Sequence, residues 1–304
     1  MFTIPDHFIR TIVETNGAAG QAWLDRLPPA LDACAEQWGL TLGPPFAGLS
    51  YNYAAPATRA DGAPVVVKAC PPSGEFLAQA EALRIYDGRG CARLLSADHA
   101  REVMLLERLE PGAILDAVED DAEATSIAAG VMQELWRPVP PEHPFPTVSS
   151  WGEGFAQLRR RYDGGAGPFP PALVAEAEHL YAELDASAGA PVVLHGDLHH
   201  YNILDAGSRG WLAIDPKGLA GEPAYEIGAY LRNKLPEPLP NPEAARITAR
   251  RVEQFSSELR LDRARVRGWA LAQAVLSAWW TIEDHGRGWE PMIALAEILT
   301  NLKE

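Results

Sequence analysis

The stretch VVLHGDLHHYNIL, residues 192–204, is the most informative part of this sequence. Its first three residues have the apolar character of a short buried strand. The loop that follows carries Asp197 and, five residues later, Asn202, before a second apolar run begins at Ile203. This density of polar side chains directly after a strand predicts a functional site on the loop, because binding and catalytic residues concentrate on such loops.

A second apolar run, GWLAI at 210–214, ends in Asp215 and is followed by PKG. The segment DAGSRG between the two runs has turn-forming composition, so we expect a hairpin that brings Asn202 and Asp215 together beneath the Asp197 loop. Two carboxylates and a carboxamide then face one small volume. Oxygen ligands of this kind suit Mg²⁺ that is also held by phosphate oxygens. Asp197 is left to orient and deprotonate a hydroxyl, which completes the requirements for phosphoryl transfer to an alcohol.

Composition excludes several classes of protein. The 304 residues include 26 Lys and Arg against 41 Asp and Glu, a formal charge of −15. This balance argues against nucleic acid or anionic membrane as a partner, and it suits either a cationic small molecule or a merely solvated acidic surface. The three cysteines are far apart and form no disulfide or metal-binding pattern. Without a signal peptide or a membrane-spanning apolar run, we expect a cytoplasmic protein.

The sequence pattern of the first third of the chain predicts several short strands and two helices. Helical periodicity covers 20–38 and is expected to break at Pro28-Pro29. Short strands follow over 40–69, with a hairpin turn at Asp61-Gly62. A helix is predicted over 73–86, capped by Ser73, with one apolar stripe along it. That stripe comprises Phe76, Leu77, Ala80 and Leu83. Two further strands, CARLLSAD and REVMLLERL, lead to a break at 110–113.

Beyond this break the chain is mostly helical. Segments with helical period lie at 119–137, 151–162, 171–187, 242–259, 262–284 and 291–302. We therefore predict an α+β protein with a β-rich lobe over 1–109 and a helical lobe over 110–304.

The pattern HGDLHHYN followed by IDPKG resembles the aminoglycoside phosphotransferase family, which is similar to the protein kinases. The segments ALRIYDGRGCARLLSAD, ERLEPG and AIDPKGLAGEPAYEIGAYLRN bring it nearest to the streptomycin 6-phosphotransferase and hydroxyurea phosphotransferase branch. The resemblance implies a kinase-like two-lobed fold. It also implies transfer of the γ-phosphoryl group of ATP to a hydroxyl of an aminoglycoside such as streptomycin, or of a small molecule such as hydroxyurea. By the same resemblance Asp197 is the catalytic base, and Asn202 and Asp215 hold Mg²⁺.

The resemblance also assigns nucleotide-binding residues in the first lobe. Lys68, in the apolar run PVVVKAC, contacts the nucleotide phosphates, and a lysine in such a run needs a counter-charge. Gln79 stands where the family usually has Glu, so the partner of Lys68 is Glu75, Gln79 or Glu81, of which we prefer Glu75.

Two further nucleotide contacts are expected. The loop FAGLSYNYA lacks the three-glycine pattern of protein kinases, but backbone N–H groups from Gly48 to Tyr51 and the Ser50 hydroxyl are still expected to contact phosphate. The segment VMLLERLEPG resembles the interlobe hinge of the family. Backbone groups of Glu107 and Leu109 read the adenine edge.

Several readings stay open at this point. A metal-dependent hydrolase would use His195, Asp197, His199 and His200 as ligands, and zinc content would identify it. A kinase-like binding module without activity is the third possibility, although such modules normally lack the base or a metal ligand. His195 is expected to hydrogen-bond the backbone and hold the loop. The sequence leaves open the acceptor, the choice between ATP and GTP, and the oligomeric state.

Other polar residues have two readings each. Lys217 lies on the surface or near phosphate, and Glu226 lies on a helix face or shapes the active-site loop. An acidic cleft for a cationic acceptor would be lined by some of the carboxylates of the helical lobe. These are Glu222, Glu226, Glu237, Glu283 and Asp284.

Overall fold

The computed structural model of the chain describes residues 4–302. Its largest sheet is antiparallel and has the strand order β1-β2-β3-β5-β4. These strands are β1 (Leu40–Leu42), β2 (Tyr53–Arg59), β3 (Pro64–Ala69), β4 (Leu94–Asp98) and β5 (Val103–Glu107). The predicted turn at Asp61-Gly62 is confirmed, because Gly62 has a φ of 83° and the Arg59 N–H donates to the Ala63 carbonyl at 3.0 Å. Glycine adopts this backbone conformation without strain.

Strand β3 occupies the middle of this sheet, between β2 and β5. Val65, Val67 and Ala69 are buried in the core that the sheet shares with the first helix. Because side chains alternate along a strand, Lys68 lies on the opposite face, where its side chain is also buried. The register of β3 therefore turns Lys68 towards the rest of the molecule.

The first helix, α1 (Asp6–Trp38), departs from the predicted break. It continues through Pro28 and Pro29, so the expected interruption there is wrong. The apolar stripe of Trp23, Leu24, Leu27 and Leu31 is buried on both sides of the prolines, and this packing outweighs the missing backbone hydrogen bonds. The helix instead departs from helical geometry at Gly17, where φ is 56° and ψ is −134°.

Helix α2 (Phe76–Tyr86) is shorter than predicted. It begins after Glu75, and Ser73 does not cap it, because Gly74 has a φ of 78° and keeps the preceding residues out of the helix. Leu77 is 55% exposed, so the predicted stripe is wrong at this position. Its other three members, Phe76, Ala80 and Leu83, are buried, and Gln79 is buried on the same side of the helix.

The rest of the chain is mainly helical, which confirms the α+β class. Its helices are α3 (Asp121–Leu135), α4 (Val148–Trp151), α5 (Glu153–Arg161), α6 (Pro171–Ala186), α7 (Pro223–Leu231), α8 (Pro242–Leu259), α9 (Arg263–His285) and α10 (Glu290–Asn301). The six predicted helical segments are present. Helix α7 escaped prediction because its residues from Ala224 to Leu231 are all buried and therefore show no amphipathic period.

Two small sheets lie among these helices. One has the order β10-β7-β6 and the other is the two-stranded β8-β9 hairpin. The strands are β6 (Arg137–Pro138), β7 (Val192–Leu194), β8 (Ile203–Asp205), β9 (Trp211–Ala213) and β10 (Leu219–Gly221). The predicted hairpin before Asp215 is thereby confirmed. The division into lobes at 109 and 110 stays a prediction. Within residues 4–302, no helix is both long and apolar enough to cross a bilayer.

Candidate active site

The loop after β7 is held from below by Glu226 of α7. The backbone N–H groups of His195 and Gly196 donate to the two carboxylate oxygens of Glu226 at 2.6 and 2.9 Å. Burial raises the pKa of Glu226 to about 7, although both N–H groups act to lower it. Of the two readings left open for Glu226, the structure supports the one in which this residue shapes the loop.

His195 fastens the same loop to the strand before Asp215. Its Nε2 lies 2.8 Å from the Ile214 carbonyl, and its Nδ1 accepts from the Asp197 N–H at 3.2 Å. Nε2 is therefore the protonated nitrogen. Burial lowers the pKa of His195 to about 4, so the ring is neutral at physiological pH. The prediction that His195 hydrogen-bonds the backbone and holds the loop is confirmed.

Asp197 faces a cavity at the end of this loop, with about a third of its side chain exposed. Arg232, which follows α7, places its guanidinium 3.6 Å from one carboxylate oxygen of Asp197. Arg232 also donates to Gln273 of α9 at 2.9 Å, and Gln273 donates to the Tyr225 carbonyl. Sequence reasoning missed Arg232. Its only signal was a cation directly after the apolar run AYEIGAYL, which suggests a buried charge that needs a partner.

Asn202 and Asp215 meet as the predicted hairpin requires. The Ile214 N–H donates to the Asn202 carbonyl at 2.9 Å, which ties the end of β9 to the start of β8. The Asn202 side chain donates to the Asp197 carbonyl at 2.9 Å, so its own carbonyl oxygen is the group it can offer to a cation. A carboxylate and an amide oxygen are hard ligands, and their chemistry fits Mg²⁺ that is also bound by phosphates.

Asp215 is also the partner of Lys68. Their side chains form an ion pair, and Lys68 additionally donates to Oε1 of Gln79 at 2.5 Å. Burial acts to raise the pKa of Asp215, but the Lys68 ammonium outweighs it and the pKa is lowered. The Asp215 carboxylate is thus held in its ionised form.

The expected Lys68–Glu75 ion pair is wrong. Glu75 lies before the first residue of α2 and pairs with Lys217 at 2.9 Å, while it accepts from Gln79 at 3.2 Å. Gln79 points inward one turn later and is the residue of α2 that reaches Lys68. Glu81 lies on the outer side of α2 and pairs with Arg84.

Lys217 lies in the same cavity as Asp197 and not on the outer surface. Burial by itself lowers the pKa of Lys217, but the carboxylates of Glu75, Asp197 and Asp215 outweigh it, so the pKa is raised. The charged Lys217 side chain therefore lies between Glu75, which precedes α2, and the loop that carries Asp197.

The remaining predicted nucleotide contacts lie on two other segments. Ser50 is exposed on the loop before β2. The Glu107 N–H donates to the Arg93 carbonyl at 3.0 Å, so this group is occupied within the sheet. Leu109 is buried against Ala92 and Leu212. The contact of Ser50 with phosphate stays a prediction, as does adenine recognition by the carbonyl of Glu107 and the backbone of Leu109.

The histidines do not assemble into a metal centre. His200 is buried and stacks on Tyr230, with ring centroids 4.1 Å apart, whereas His195 is engaged with the backbone. His199 accepts from the Tyr201 N–H at 3.3 Å. Across residues 4–302 no three His, Cys, Asp or Glu side chains are arranged to hold a metal ion. The hydrolase alternative is therefore not favoured.

The cavity in front of Asp197 has a volume of about 670 Å³. Trp151 and Trp280 form part of its wall and pack edge to face at 5.5 Å. Glu283 and Asp284, at the end of α9, also line it. Burial raises the pKa of both carboxyl groups, and the charge of Asp284 adds to the rise at Glu283.

Only part of the expected acidic cleft exists. Glu283 and Asp284 line the cavity, as expected for a cationic acceptor. Glu222 is instead paired with Arg265 at 2.8 Å and accepts from Trp269. Glu226 is buried beneath the loop, and the exposed Glu237 is outside the set of cavity residues.

Comparison with known proteins relates these features to one family. The sequence model of the aminoglycoside/hydroxyurea antibiotic resistance kinases matches residues 43–285. Over 297 residues the chain is 32% identical to a streptomycin 6-kinase of Streptomyces glaucescens, covering 97% of this chain and 96% of the relative. It is 34% identical over 304 residues to a hydroxyurea phosphotransferase of Kitasatospora aureofaciens, covering 97% of this chain and 85% of the relative.

Solved structures agree with the fold. The chain superposes with a TM-score of 0.61 on a thermostable mutant of the aminoglycoside phosphotransferase APH(4)-Ia, in a ternary complex with ADP and hygromycin B. The match covers 88% of this chain and 97% of that structure at 16% identity. This likeness confirms the expected kinase-like fold.

Proposed function

The chain belongs to the aminoglycoside/hydroxyurea antibiotic resistance kinase family, and on that premise we propose that it transfers the γ-phosphoryl group of ATP to a hydroxyl of an aminoglycoside such as streptomycin. Membership makes it a small-molecule phosphotransferase. The observation that carries the finer proposal is the convergence of Asp197, Lys217 and the carboxylates of Glu283 and Asp284 on one cavity beside the Lys68–Asp215 pair.

The proposed reaction needs little covalent chemistry from the protein. Asp197 orients the acceptor hydroxyl and accepts its proton as the oxygen bonds to the γ-phosphorus, and ADP departs as the bond to its β-phosphate oxygen breaks. Lys68 aligns the phosphates. Asn202 and Asp215 would hold Mg²⁺, whose contribution is to neutralise the phosphate charge. Glu226 and His195 keep the loop in place, because they bind its backbone and not the substrate.

The size of the cavity supports an aminoglycoside over hydroxyurea. At about 670 Å³ it falls within the range of sites that enclose drug-sized ligands. Hydroxyurea has only a handful of non-hydrogen atoms and would leave most of this space to water. The carboxylates of Glu283 and Asp284 suit ammonium or guanidinium groups, which streptomycin carries and hydroxyurea lacks.

The proposal is tested by incubating the protein with Mg²⁺, ATP and streptomycin and identifying phosphorylated product by mass spectrometry. Hydroxyurea and neutral polyols run in parallel as competing acceptors. We expect streptomycin to be phosphorylated with the highest kcat/KM. If no aminoglycoside receives phosphate, the proposed substrate class is wrong.

Asp197→Asn tests the proposed base in the same assay. Loss of proton acceptance should lower kcat by roughly 10²–10⁴ and leave nucleotide binding largely intact. Asp205→Asn is the matched control, since Asp205 stabilises the turn of the same hairpin by accepting from the Gly207 N–H at 2.8 Å. Retention of more than about a tenth of the turnover by Asp197→Asn would contradict its assignment as base.

A further inference from the structure

The break in α1 brings two polar side chains to the acceptor cavity. Thr15 and Asn16 immediately precede Gly17, where the helix departs from helical geometry, and both line the same cavity as Asp197 and Lys217. The family match begins at residue 43, so it assigns no role to this helix. The wall that Thr15 and Asn16 form is hereafter called the α1 wall.

Packing fixes the position of the α1 wall. Phe8 and Ile12, in the first part of α1, are fully buried, and Phe8 packs edge to face on Tyr53 of β2 at 6.4 Å. At Gly20 the two parts of the helix touch. A Cβ there would lie 2.5 Å from the Ile12 carbonyl oxygen and 2.9 Å from the Asn16 Cβ. Because only glycine fits this contact, the close packing of Gly20 against Ile12 and Asn16 gives the break a defined geometry.

The α1 wall presents mainly hydrogen-bond acceptors. The Thr15 hydroxyl donates to the Thr11 carbonyl, and the Asn16 amide donates to the Ile12 carbonyl at 3.3 Å. Both side chains therefore use a hydrogen-bond donor within the helix, and their oxygen lone pairs remain able to accept a hydrogen bond from a ligand. Glu283 and Asp284 add carboxylate oxygens to the same cavity. Such a lining matches a ligand rich in N–H and O–H groups.

We propose that Thr15 and Asn16 are specificity-determining residues that bind N–H and O–H donors of the acceptor. The inference rests on the proposed aminoglycoside phosphotransferase function. The α1 wall is expected to act in acceptor binding, because neither Lys68, the predicted phosphate contact on β3, nor Asp215, the predicted metal ligand after β9, lines this cavity. Changes at the α1 wall thus alter the KM of the acceptor and leave the KM of ATP unchanged.

Steady-state kinetics with streptomycin as probe test the proposal. Thr15→Val and Asn16→Ala should each raise the KM of streptomycin by about two- to twelvefold, the effect of one lost hydrogen bond. Thr11→Val is the matched control, because Thr11 makes the same kind of helix bond, to the His7 carbonyl at 3.1 Å, but is not among the cavity residues. An unchanged KM of ATP in every variant verifies that the fold is intact.

A labelling experiment provides a second measurement. Cys34, Cys70 and Cys91 are buried, so a thiol introduced by Asn16→Cys is the accessible one for a maleimide. Streptomycin should slow its alkylation, and a thiol introduced by Thr11→Cys should react at the same rate with or without streptomycin.

The outcomes separate the two proposals. If the wild type phosphorylates streptomycin but the α1-wall variants match Thr11→Val in KM and show no protection, the inference alone is overturned. If the wild type phosphorylates no aminoglycoside, the proposed function fails and the inference falls with it. Raised acceptor KM together with protection of the introduced thiol supports both.

Discussion

Replacing the buried Glu226 by Gln should change how stability depends on pH. Glu226 is 1% exposed and receives the backbone N–H groups of His195 and Gly196. Gln has nearly the same shape as the protonated carboxyl group but cannot ionise. The substitution therefore removes one buried titrating group while it keeps the packing of α7 against the loop.

The magnitude follows from the pKa. Burial raises the pKa of Glu226 from its ordinary 4.5 to about 7. Between these values the folded protein keeps a proton that the unfolded chain has released, so the stabilisation is complete below pH 4.5 and is lost as pH rises through 7. Each tenfold change in an ionisation constant is worth about 1.36 kcal/mol, so the whole loss is roughly 3 kcal/mol.

The measurement is urea unfolding of the wild type and Glu226→Gln at several values between pH 6 and 8.5, away from the isoelectric point near 5.0. Roughly 1 kcal/mol or more of the loss lies in this window. We expect the wild-type free energy of unfolding to fall relative to that of the variant as pH rises. The Gln side chain has one acceptor oxygen for the two N–H groups of His195 and Gly196, so one of them loses its partner. The variant should therefore also lose turnover, because the loop that carries Asp197 is held less well.

Leu194→Ala is the control. Leu194 is fully buried on β7 beside the loop, and its truncation should cost about 2–5 kcal/mol without adding or removing a titrating group. The stability difference between this variant and the wild type should therefore not change with pH in the way expected for Glu226→Gln. The reasoning would be refuted if the free energy of unfolding of the wild type, minus that of Glu226→Gln, stayed constant or rose with pH.

Three further predictions concern the predicted nucleotide and acceptor contacts. Asp215→Ala should weaken Mg²⁺-dependent nucleotide binding and turnover together; nucleotide titrations with and without Mg²⁺ measure this, and an unchanged Mg²⁺ effect would remove Asp215 from the metal site. Lys68→Met removes the ammonium group that contacts Gln79 and Asp215. The variant should lower kcat/KM for ATP by about 10- to 150-fold, which corresponds to the loss of one charge-assisted hydrogen bond. A loss below about threefold would contradict the predicted phosphate contact. The KM of streptomycin should rise with salt because Glu283 and Asp284 attract cations over a Debye length of about 8 Å at physiological ionic strength; a KM indifferent to salt would contradict the acidic-cleft account.

Local patterns in the sequence were sufficient for much of the architecture. The hairpin before Asp215, the turn at Asp61-Gly62 and the six amphipathic helices depend on neighbouring residues and on burial period, both of which are present in the sequence itself. The meeting of Asn202 with Asp215 also follows from the hairpin, since a two-stranded pairing forces its ends together.

Local patterns failed where distant packing opposes a local preference. Pro28 and Pro29 should break a helix, yet the buried stripe around them keeps α1 continuous. Helix α7 is buried from Ala224 to Leu231, so its sequence lacks the alternation of apolar and polar residues that identifies a helix. In both cases the deciding energy comes from the surrounding core, which a short window of sequence does not contain.

The sequence by itself predicted which residues carry chemistry, because a strand, a polar loop and a hairpin specify the spacing of Asp197, Asn202 and Asp215. Only the tertiary structure decided their partners. Lys68 on β3 forms an ion pair with Asp215, which follows the β8-β9 hairpin. Arg232 lies close to the Asp197 carboxylate, and α1 forms one wall of the cavity. These contacts join residues that are far apart in the chain. Charge and hydrogen-bond chemistry allow several pairings, and it is packing that selects one.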